Sequence, residues 1–460
     1  MVTASMAHDL SEQHSRDAVN APAMRKHYHD IDGARSVLMF LSVALHAGTV
    51  YAPMRPWITG NEDRAVFFDW LIFAFHLFVT PTFFFVGGFF AVLLLSRRNI
   101  GDFLWNRFQR TAIPLIVIAL TFNMLEHYLR WRDAGGQGSF LSWFGSNDFI
   151  AIWADGTWQL HLWFLVSLIP MFMLAAIVHA VVPKSAVVRT VSVKLSDHFG
   201  KLAAGSLPFL FVLLFLGLAN TANYSAAALV PGGYDLIFPG FQSLYKLVSE
   251  FPFFVIGVMA ALSPRLLASL FEWRWWMPFA AFAALLFQPY PMPDQGHVLG
   301  FVTDFALWFG IDLAGERSFG VRLSLLFLNQ LAIWTLVLFI LQFFHRFFND
   351  GGPRTTWLAD CALSMYLFHH CFVYVYGQWF VAVDWPIWVE FTLLTFMAAA
   401  TVILIHELLV RRFVLVRLLA NGKTDVEAVK TQPGFLQAFG FIGARNGPDI
   451  ATGGALSPKA

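Results

Sequence analysis

Charged residues and cysteine are both scarce in this chain of 460 residues. Asp, Glu, Lys and Arg make up 13% of it and hydrophobic residues 58%, whereas soluble domains average about 25% charged residues. That balance excludes a water-soluble fold. The net charge of +1, without a basic patch, excludes nucleic acid as a partner. Cys361 and Cys371 are ten residues apart and face away from each other on a helix, so they predict neither a disulfide nor a metal site.

A secretory signal peptide is also missing from residues 1–30. They carry acids and bases without the apolar core that such a peptide needs. We therefore expect a disordered cytoplasmic leader over 1–30, with the first spanning helix acting as the targeting signal.

Long apolar runs are abundant instead. Ten of them predict an all-α polytopic membrane protein with about ten transmembrane helices. We expect the membrane domain to cover 31–415 and a cytoplasmic, largely disordered tail to cover 416–460, because that stretch contains Gly, Pro and Ala. The ten runs fall at about 35–53, 66–96, 111–128, 160–183, 204–220, 250–266, 276–290, 323–346, 357–381 and 387–410.

Lys and Arg are distributed unevenly between the loops. With the N-terminus inside, 23 of the 30 lie on the cytoplasmic side and 7 on the outer side. Since short cytoplasmic loops carry an excess of positive charge, this distribution predicts that both termini are cytoplasmic.

The first run carries the most informative pattern. Asp32 and Arg35 stand at its start, and His46 follows eleven residues after the arginine. Eleven helical steps of about 100° bring His46 to within roughly 20° of Arg35, and roughly 16 Å deeper. An ionisable side chain at that depth indicates a functional site, the alternative being a histidine hydrogen-bonded between helices.

Further histidines fall at a similar depth. His76 lies about ten residues into the second run, and His369 and His370 about twelve residues into the ninth. Imidazole exchanges protons near neutral pH, which suits a general base or the proton relay of a transporter. Because no Cys or carboxylate stands at ligand spacing, these histidines do not predict a metal site.

Basic residues collect at the predicted inner face. Arg107 and Arg110 are three residues apart on one face of a short amphipathic helix, at the same membrane face as Arg35. Arginine binds phosphate through two parallel hydrogen bonds, so these three residues predict a site for a phosphorylated ligand such as a coenzyme A. The alternative is anchoring to anionic lipid.

The predicted outer side has a different chemistry. Its loops contain Gly, Asp, Asn, Tyr and Trp, which suits a sugar-facing surface or an interfacial aromatic belt. His161 and Trp163 open the fourth run, and Glu250 opens the sixth. An acid and a histidine there can orient the hydroxyls of an acceptor, and the alternative is helix capping or an interfacial position.

Six short segments follow one another along the chain. They are Asp32-Gly-x-Arg35 with His46, Phe83-Phe-Phe-Val-Gly-Gly-Phe89, Arg107-x-x-Arg110 with Ile113-Pro114, His161-Leu-Trp-Phe-Leu165, Phe251-Pro-Phe-Phe-Val-Ile-Gly257 and Ser364-Met-Tyr-Leu-Phe-His-His370. In this order they resemble the acyltransferase 3 family of integral membrane proteins. Within that family, the fourth and sixth segments resemble the glucan biosynthesis protein C group, over about residues 28 to 420.

The resemblance implies an enzyme of the bacterial inner membrane. It would move an acyl group from cytoplasmic acyl-CoA, its co-substrate, to a sugar hydroxyl, without a tightly bound cofactor. For the group named above, the implied reaction is O-succinylation of periplasmic osmoregulated glucans by succinyl-CoA. The resemblance places the essential histidine at His46, the first-helix arginine at Arg35, and the acyl-CoA-binding pair at Arg107 and Arg110. The chain departs from the family at Cys371, where proline is usual, and at Gly87, where serine is common.

The resulting hypothesis makes His46 the general base, with Arg35 and Asp32 setting the geometry of the inner mouth. The residues expected to orient the substrate or support an oxyanion are His76, His161, Trp163, Glu250, Tyr366, His369 and His370. Direct transfer and an acyl-histidine intermediate both stay open.

Several alternatives also stay open. The same chemistry can acylate another envelope polysaccharide or a lipid-linked sugar, and a proton-coupled saccharide transporter is the alternative from another class. The expected partners are acyl-CoA, a periplasmic glucan and the lipid bilayer. Glucan-synthesis proteins and a second copy of the chain are further partners that the sequence leaves open.

Overall fold

The protein is built from α-helices. A computed structural model describes residues 28–53, 61–181, 186–232, 242–286, 319–349 and 351–441, and no β-strand occurs in those ranges. The helices are α1 (His29–Gly48), α2 (Val66–Leu95), α3 (Ile100–Asp133), α4 (Phe140–Phe144), α5 (Asn147–Ala154), α6 (Trp163–Val181), α7 (Ala186–Leu202), α8 (Ser206–Leu229), α9 (Leu244–Leu262), α10 (Pro264–Phe271), α11 (Met277–Leu286), α12 (Phe319–Phe347), α13 (Pro353–Val381), α14 (Ile387–Ile405), α15 (Val414–Asn421), α16 (Val426–Lys430) and α17 (Phe435–Ala438).

Eight helical segments in the described ranges are long and apolar enough to cross a membrane. They include α2, α3, α6, α8, α9, α12, α13 and α14, and they coincide with eight of the ten predicted runs. The prediction of an all-α polytopic membrane protein is confirmed. The first run corresponds to α1, with 20 residues, and the seventh to α11, with 10 residues up to the end of a described range. The total of ten spans and the cytoplasmic position of both termini stay predictions.

Helix α3 changes its winding twice. Asn99 caps its start by accepting the N–H of Asp102 at 2.8 Å, and π-helical turns occupy Phe108–Ala112 and Ala119–Asn123. A π-turn adds a residue to the helical repeat and so changes the direction of the side chains around it. The amphipathic helix expected around Arg107 is therefore continuous with the third spanning helix, with one π-turn at each end of its apolar middle.

Helices α2 and α9 pack closely through glycine. A Cβ on Gly88 would lie 2.0 Å from the carbonyl oxygen of Phe254, and a Cβ on Gly257 would lie 2.0 Å from that of Phe85. Small residues let helix backbones approach each other in a membrane, where dispersion contacts replace the hydrophobic effect between helices. Two of the six short segments that carry the family resemblance thus form one packing interface.

Helix α1 is surrounded by α13, α2, α12 and α14. Ala34, Val43 and Ala47 on this helix are completely buried. Because α1 is continuous from His29 to Gly48, Arg35 and His46 keep the rotation and the offset of roughly 16 Å expected for eleven residues of helix.

The chain after α14 returns to the bundle. Trp357 of α13 packs against Phe435 and Phe439 at ring-centroid distances of 5.1 and 5.6 Å, and Arg411 donates to the Val429 carbonyl at 3.0 Å. The predicted tail thus contains three short helices up to residue 438, held by aromatic packing and buried hydrogen bonds. Residues 442–460, and 1–27 of the predicted leader, lie outside the described residues.

Candidate active site

Four buried histidines from three parts of the chain meet in one cluster. His46 comes from α1, His161 from the turn before α6, and His369 and His370 from α13. The ring of His370 lies 4.7 Å from that of His46 and stacks on that of His161, also at 4.7 Å between centroids. His369 lies 5.1 Å from His46 and 5.3 Å from His161. We call this group the histidine cluster.

His370 is held by a buried carboxylate. Its Nδ1 lies 2.8 Å from Oε2 of Glu126, and the other carboxylate oxygen accepts from Arg130 at 2.7 Å. An ionised carboxylate only accepts hydrogen bonds, so Nδ1 of His370 carries the proton and donates it. That tautomer leaves Nε2 with a lone pair, which is the form a base needs.

The turn before α6 is strained. Leu160 has φ 45° and ψ −123°, a backbone conformation that costs a non-glycine residue roughly 1–3 kcal/mol. Helix α3 holds this turn, because Asn123 donates to the carbonyls of Trp158 and Gln159 at 3.0 and 3.2 Å. The strained turn places His161 against His370, directly after the distorted residue.

Tyr366 also helps to position His161. Its hydroxyl donates to the backbone carbonyl of His161 at 2.7 Å, and its ring lies 5.4 Å from the His161 ring. The hydroxyl proton is therefore used to hold His161 in place. His369 donates from Nδ1 to the Met365 carbonyl of its own helix, 2.7 Å away, while its buried Nε2 has no hydrogen-bond partner among the described residues.

A cavity of about 510 Å³ opens on one side of the histidine cluster. We call it the His370 cavity. Its lining combines cations, amides and an aromatic ring, and the ammonium of Lys246 lies 3.6 Å from the centre of the Trp163 ring. The lining residues are His127, Arg130, Asp155, Gly156, Thr157, Gln159, Leu160, Trp163, Gln242, Lys246 and His370. Such a mixture suits a polyhydroxylated ligand.

A larger cavity of about 750 Å³ opens on the other side, and we call it the basic cavity. Seven Lys and Arg side chains and three Asp side chains line it, an excess of four positive charges. The ten are Arg35, Arg97, Arg98, Arg107, Arg110, Arg417, Lys423, Asp32, Asp360 and Asp425. Asp32 pairs with Arg35 at 3.1 Å, and Arg107 is oriented by Asn106 at 2.7 Å. This charge matches a ligand with several phosphate groups.

The basic cavity extends from its cationic mouth toward the histidine cluster. Leu94 and Phe83 both line it, and their separation of 11 residues corresponds to roughly 16 Å along α2. Tyr366 lines the same cavity, whereas His370, one turn further along α13, lines the His370 cavity. The histidine cluster therefore lies between the linings of two cavities of different chemistry, and of its four members only His370 lines either one.

Sequence comparison identifies the family of this chain. The acyltransferase 3 family, described as an acyltransferase domain, matches residues 28–407. The chain belongs to this family.

Curated relatives of this acyltransferase agree with the family. Glucans biosynthesis protein C of Escherichia coli O81 (strain ED1a) and that of Escherichia coli K12 are each 22% identical to the chain over 414 residues. Each alignment covers 88% of this chain and 97% of the relative. No solved structure matches the chain. The resemblance stated from the six segments is confirmed, and the chain is a multi-pass membrane acyltransferase.

The structure brings most of the predicted site residues of this acyltransferase into two groups. His46, His161, His369, His370 and Tyr366 meet at the histidine cluster. Asp32, Arg35, Arg107 and Arg110 line the basic cavity, and Trp163 lines the His370 cavity. Their chemical roles stay predictions.

Two predicted residues lie outside these two groups, although His76 is near enough to His46 to interact with it electrostatically. His76 is exposed on α2, with its Nδ1 2.7 Å from the carbonyl of Ile72, one turn earlier. Glu250 lies one turn after Lys246 on α9, and its buried Oε2 has no hydrogen-bond partner within the described ranges. Neither residue is part of the lining of the two cavities.

Sequence reasoning missed Glu126 as a site residue. The side chain is completely buried and holds His370. The spacing of Glu126 and Arg130, four residues apart on α3, was the available signal, because a buried carboxylate needs a charged partner. Within the described residues, no group of three or more His, Cys, Asp or Glu side chains has the geometry of a metal site.

Proposed function

We propose that this acyltransferase moves a succinyl group from cytoplasmic succinyl-CoA to hydroxyls of periplasmic glucans across the bacterial inner membrane. The single observation that supports it is the histidine cluster, which lies between a cationic cavity and a cavity lined by amides and an aromatic ring. The relatives named for glucan biosynthesis support the acceptor class.

The basic cavity is the donor side of this proposal. Arg35, Arg107 and Arg110 bind the phosphates of the coenzyme, because arginine forks match phosphate oxygens. The pantetheine arm follows the apolar wall past Phe83 and brings the thioester to the histidine cluster. No cofactor besides this co-substrate is required.

The His370 cavity is the acceptor side. A sugar ring stacks on Trp163, while amides and charged groups such as Gln159 and Lys246 bind its hydroxyls. The ionic pair of Glu126 and Arg130 fixes His370 at the inner end of this cavity, so the acceptor hydroxyl arrives beside an oriented imidazole.

His46 acts as the general base in this mechanism. It takes the proton from the acceptor hydroxyl, and the oxygen adds to the thioester carbonyl carbon. The carbon–sulfur bond then breaks, and the departing coenzyme thiolate takes the proton back from His46. His370, 4.7 Å from His46, orients the acceptor and stabilises the transient positive charge through Glu126.

The test is mass spectrometry of periplasmic glucans from cells that lack this gene and receive wild type, His46→Ala or His179→Ala. His179 is an exposed histidine at the end of α6 and serves as the matched control. We expect glucans heavier by one or more succinyl groups with wild type and with His179→Ala, and unmodified glucans with His46→Ala at equal membrane abundance.

Each other outcome has a defined meaning. Succinylated glucans with His46→Ala would remove His46 from the mechanism. A different mass increment would keep the reaction and change the donor. Unmodified glucans in every strain would overturn the glucan acceptor and leave another envelope polysaccharide or a lipid-linked sugar as the acceptor of the acyl group.

A further inference from the structure

The basic cavity is completed by residues that follow the family domain. The family match ends at residue 407, yet six later residues line the cavity. They are Arg417, Asn421, Lys423, Asp425, Val429 and Gln432. We call residues 411–441 the tail segment.

The tail segment is attached to α13 and to the turn that follows α14, and a buried arginine at its start ties it together. Phe435 packs on Trp357 at 5.1 Å, and the backbone N–H of Phe435 donates to Glu407 at 3.3 Å. Arg411 donates to the carbonyls of Val429 and Gln432, both at 3.0 Å. These contacts keep the segment folded against the mouth of the basic cavity.

Gly422 brings this segment directly onto the arginine pair. It has φ +59°, and a Cβ there would lie 2.0 Å from the carbonyl oxygen of Gln109 and 2.6 Å from the Cα of Arg110. Only glycine combines that backbone conformation with so close an approach. Lys423 is therefore fixed beside Arg110 by backbone contact.

A buried carboxylate orients the cations of the tail segment. Arg417 is completely buried and donates to both oxygens of Asp360, at 3.0 and 2.7 Å, while its Nε donates to Asp425 at 2.7 Å. Lys423 donates to the same Asp360 at 3.2 Å. Asp360 and Asp425 together balance Arg417 and Lys423, so the neighbouring charge of Arg110 is the surplus at this end of the cavity.

The neighbourhood of Lys423 is short of negative charge. Burial lowers the pKa of Lys423, and the nearby positive charge of Arg110 lowers it further. An anion bound between these two side chains would reverse that effect, because it interacts favourably with both.

We propose that the tail segment forms part of the coenzyme site, with Lys423 and Arg110 together binding a phosphate group of acyl-CoA and Gly422 setting their spacing. This inference rests on the proposed donor, and it assigns a phosphate-binding residue outside the family domain. The ligand chemistry is a phosphate ester, which coenzyme A and anionic phospholipids share.

The experiment measures equilibrium binding of coenzyme A and of pantetheine, which lacks the phosphates, to the purified full-length protein in detergent. We expect Lys423→Met to weaken coenzyme A binding by about ten- to a hundredfold, as for loss of one hydrogen bond to a charged group, and to leave pantetheine binding unchanged. Lys423→Arg keeps the charge and retains most of the affinity. Lys430→Ala, an exposed lysine of the same segment, is the matched control and binds as wild type does.

A second variant tests the placement of Lys423. Gly422→Ala keeps the lysine but pushes the segment off Gln109, and we expect it to weaken coenzyme A binding as well. Thermal unfolding of each variant in detergent confirms that the bundle is intact, and Lys423→Arg separates loss of charge from loss of structure.

The outcomes separate the two proposals. Equal affinity of wild type and Lys423→Met for coenzyme A would overturn the role of the tail segment and keep the proposed donor. Wild type that does not bind coenzyme A would overturn the donor and the inference together. Repeating the titrations with added phosphatidylglycerol distinguishes the sources of phosphate, since an effect of Lys423→Met that appears only on lipid binding would overturn the coenzyme assignment.

Discussion

At the scale of single residues, the contact between Glu126 and His370 decides which nitrogen of the imidazole carries the proton. The carboxylate fixes the proton on Nδ1 and is itself completely buried, so its second oxygen needs the bond from Arg130. Asp–His pairs use the same principle in hydrolases, where the acid orients the imidazole and stabilises its protonated form. In the proposed mechanism, Glu126 is thus a positioning residue that acts through His370.

Glu126→Gln removes the negative charge and keeps the shape of the side chain. We expect kcat for acyl transfer to fall about a hundredfold, because His370 loses the carboxylate that orients its ring and that balances the transient positive charge on His46. KM for acyl-CoA stays unchanged, since the basic cavity is untouched. Steady-state kinetics of the purified enzyme with acyl-CoA and a glucan acceptor measures both values.

Glu427→Gln provides the control, because Glu427 is an exposed glutamate of α16. Its carboxylate accepts a hydrogen bond from Lys430, another exposed residue far from the histidine cluster in the chain. It should leave kcat and KM as they are. A raised KM with unchanged kcat in Glu126→Gln would contradict the positioning role and place Glu126 in donor binding instead.

At the scale of helices, glycine contacts set the positions of the elements that carry the site. Gly88 of α2 and Gly257 of α9 lie against backbone atoms of the opposite helix. Helix α9 also carries Lys246, which lines the His370 cavity, so this packing determines how far Lys246 stands from the histidine cluster.

Gly88→Ala is expected to destabilise the protein by about 1–3 kcal/mol, because the added methyl would collide with the Phe254 backbone and force α2 and α9 apart. Thermal or denaturant unfolding in detergent measures this change. Gly320→Ala is the control, since a Cβ at Gly320 in α12 would have no atom within 4 Å and alanine favours a helix. Equal stability of the two variants would show that the α2–α9 contact is looser than the structure describes.

At the scale of the whole molecule, the histidine cluster lies between two cavities of different chemistry. In the proposed mechanism the acyl group crosses at this cluster, with the basic cavity binding a cytoplasmic donor and the His370 cavity binding a sugar on the other side. This arrangement gives a direction to the reaction only if the two cavities open on opposite sides of the membrane.

Cysteine labelling tests that orientation. Cys361 and Cys371 are both buried, so a cysteine introduced at an exposed position gives the signal. We expect Gln137→Cys, after α3, to react with a membrane-impermeant maleimide in cells with a permeable outer membrane. Ser96→Cys, after α2, should react only once the inner membrane is opened. The reversed pattern would contradict the predicted topology and put the basic cavity on the periplasmic side.

The local pattern of the sequence was sufficient to predict the spanning helices and the relative position of one pair of site residues. Runs of apolar residues predict spanning helices because the bilayer imposes their length, and eight runs were found as helices. Arg35 and His46 were assigned to one face because helical periodicity applies within a single element. His161 was placed at an outer mouth, and only the fold showed that it stacks on His370.

The sequence by itself determined the membrane class of this protein, its family and the depth difference between Arg35 and His46, because each follows from composition or from spacing within one helix. The tertiary structure alone decided which side chains meet. It joined Glu126 to His370 across 244 positions of the chain and brought Lys423 to Arg110 from beyond the family domain. Such contacts depend on helix rotation, π-turns and glycine packing, which arise between elements and leave no periodic signal in the sequence.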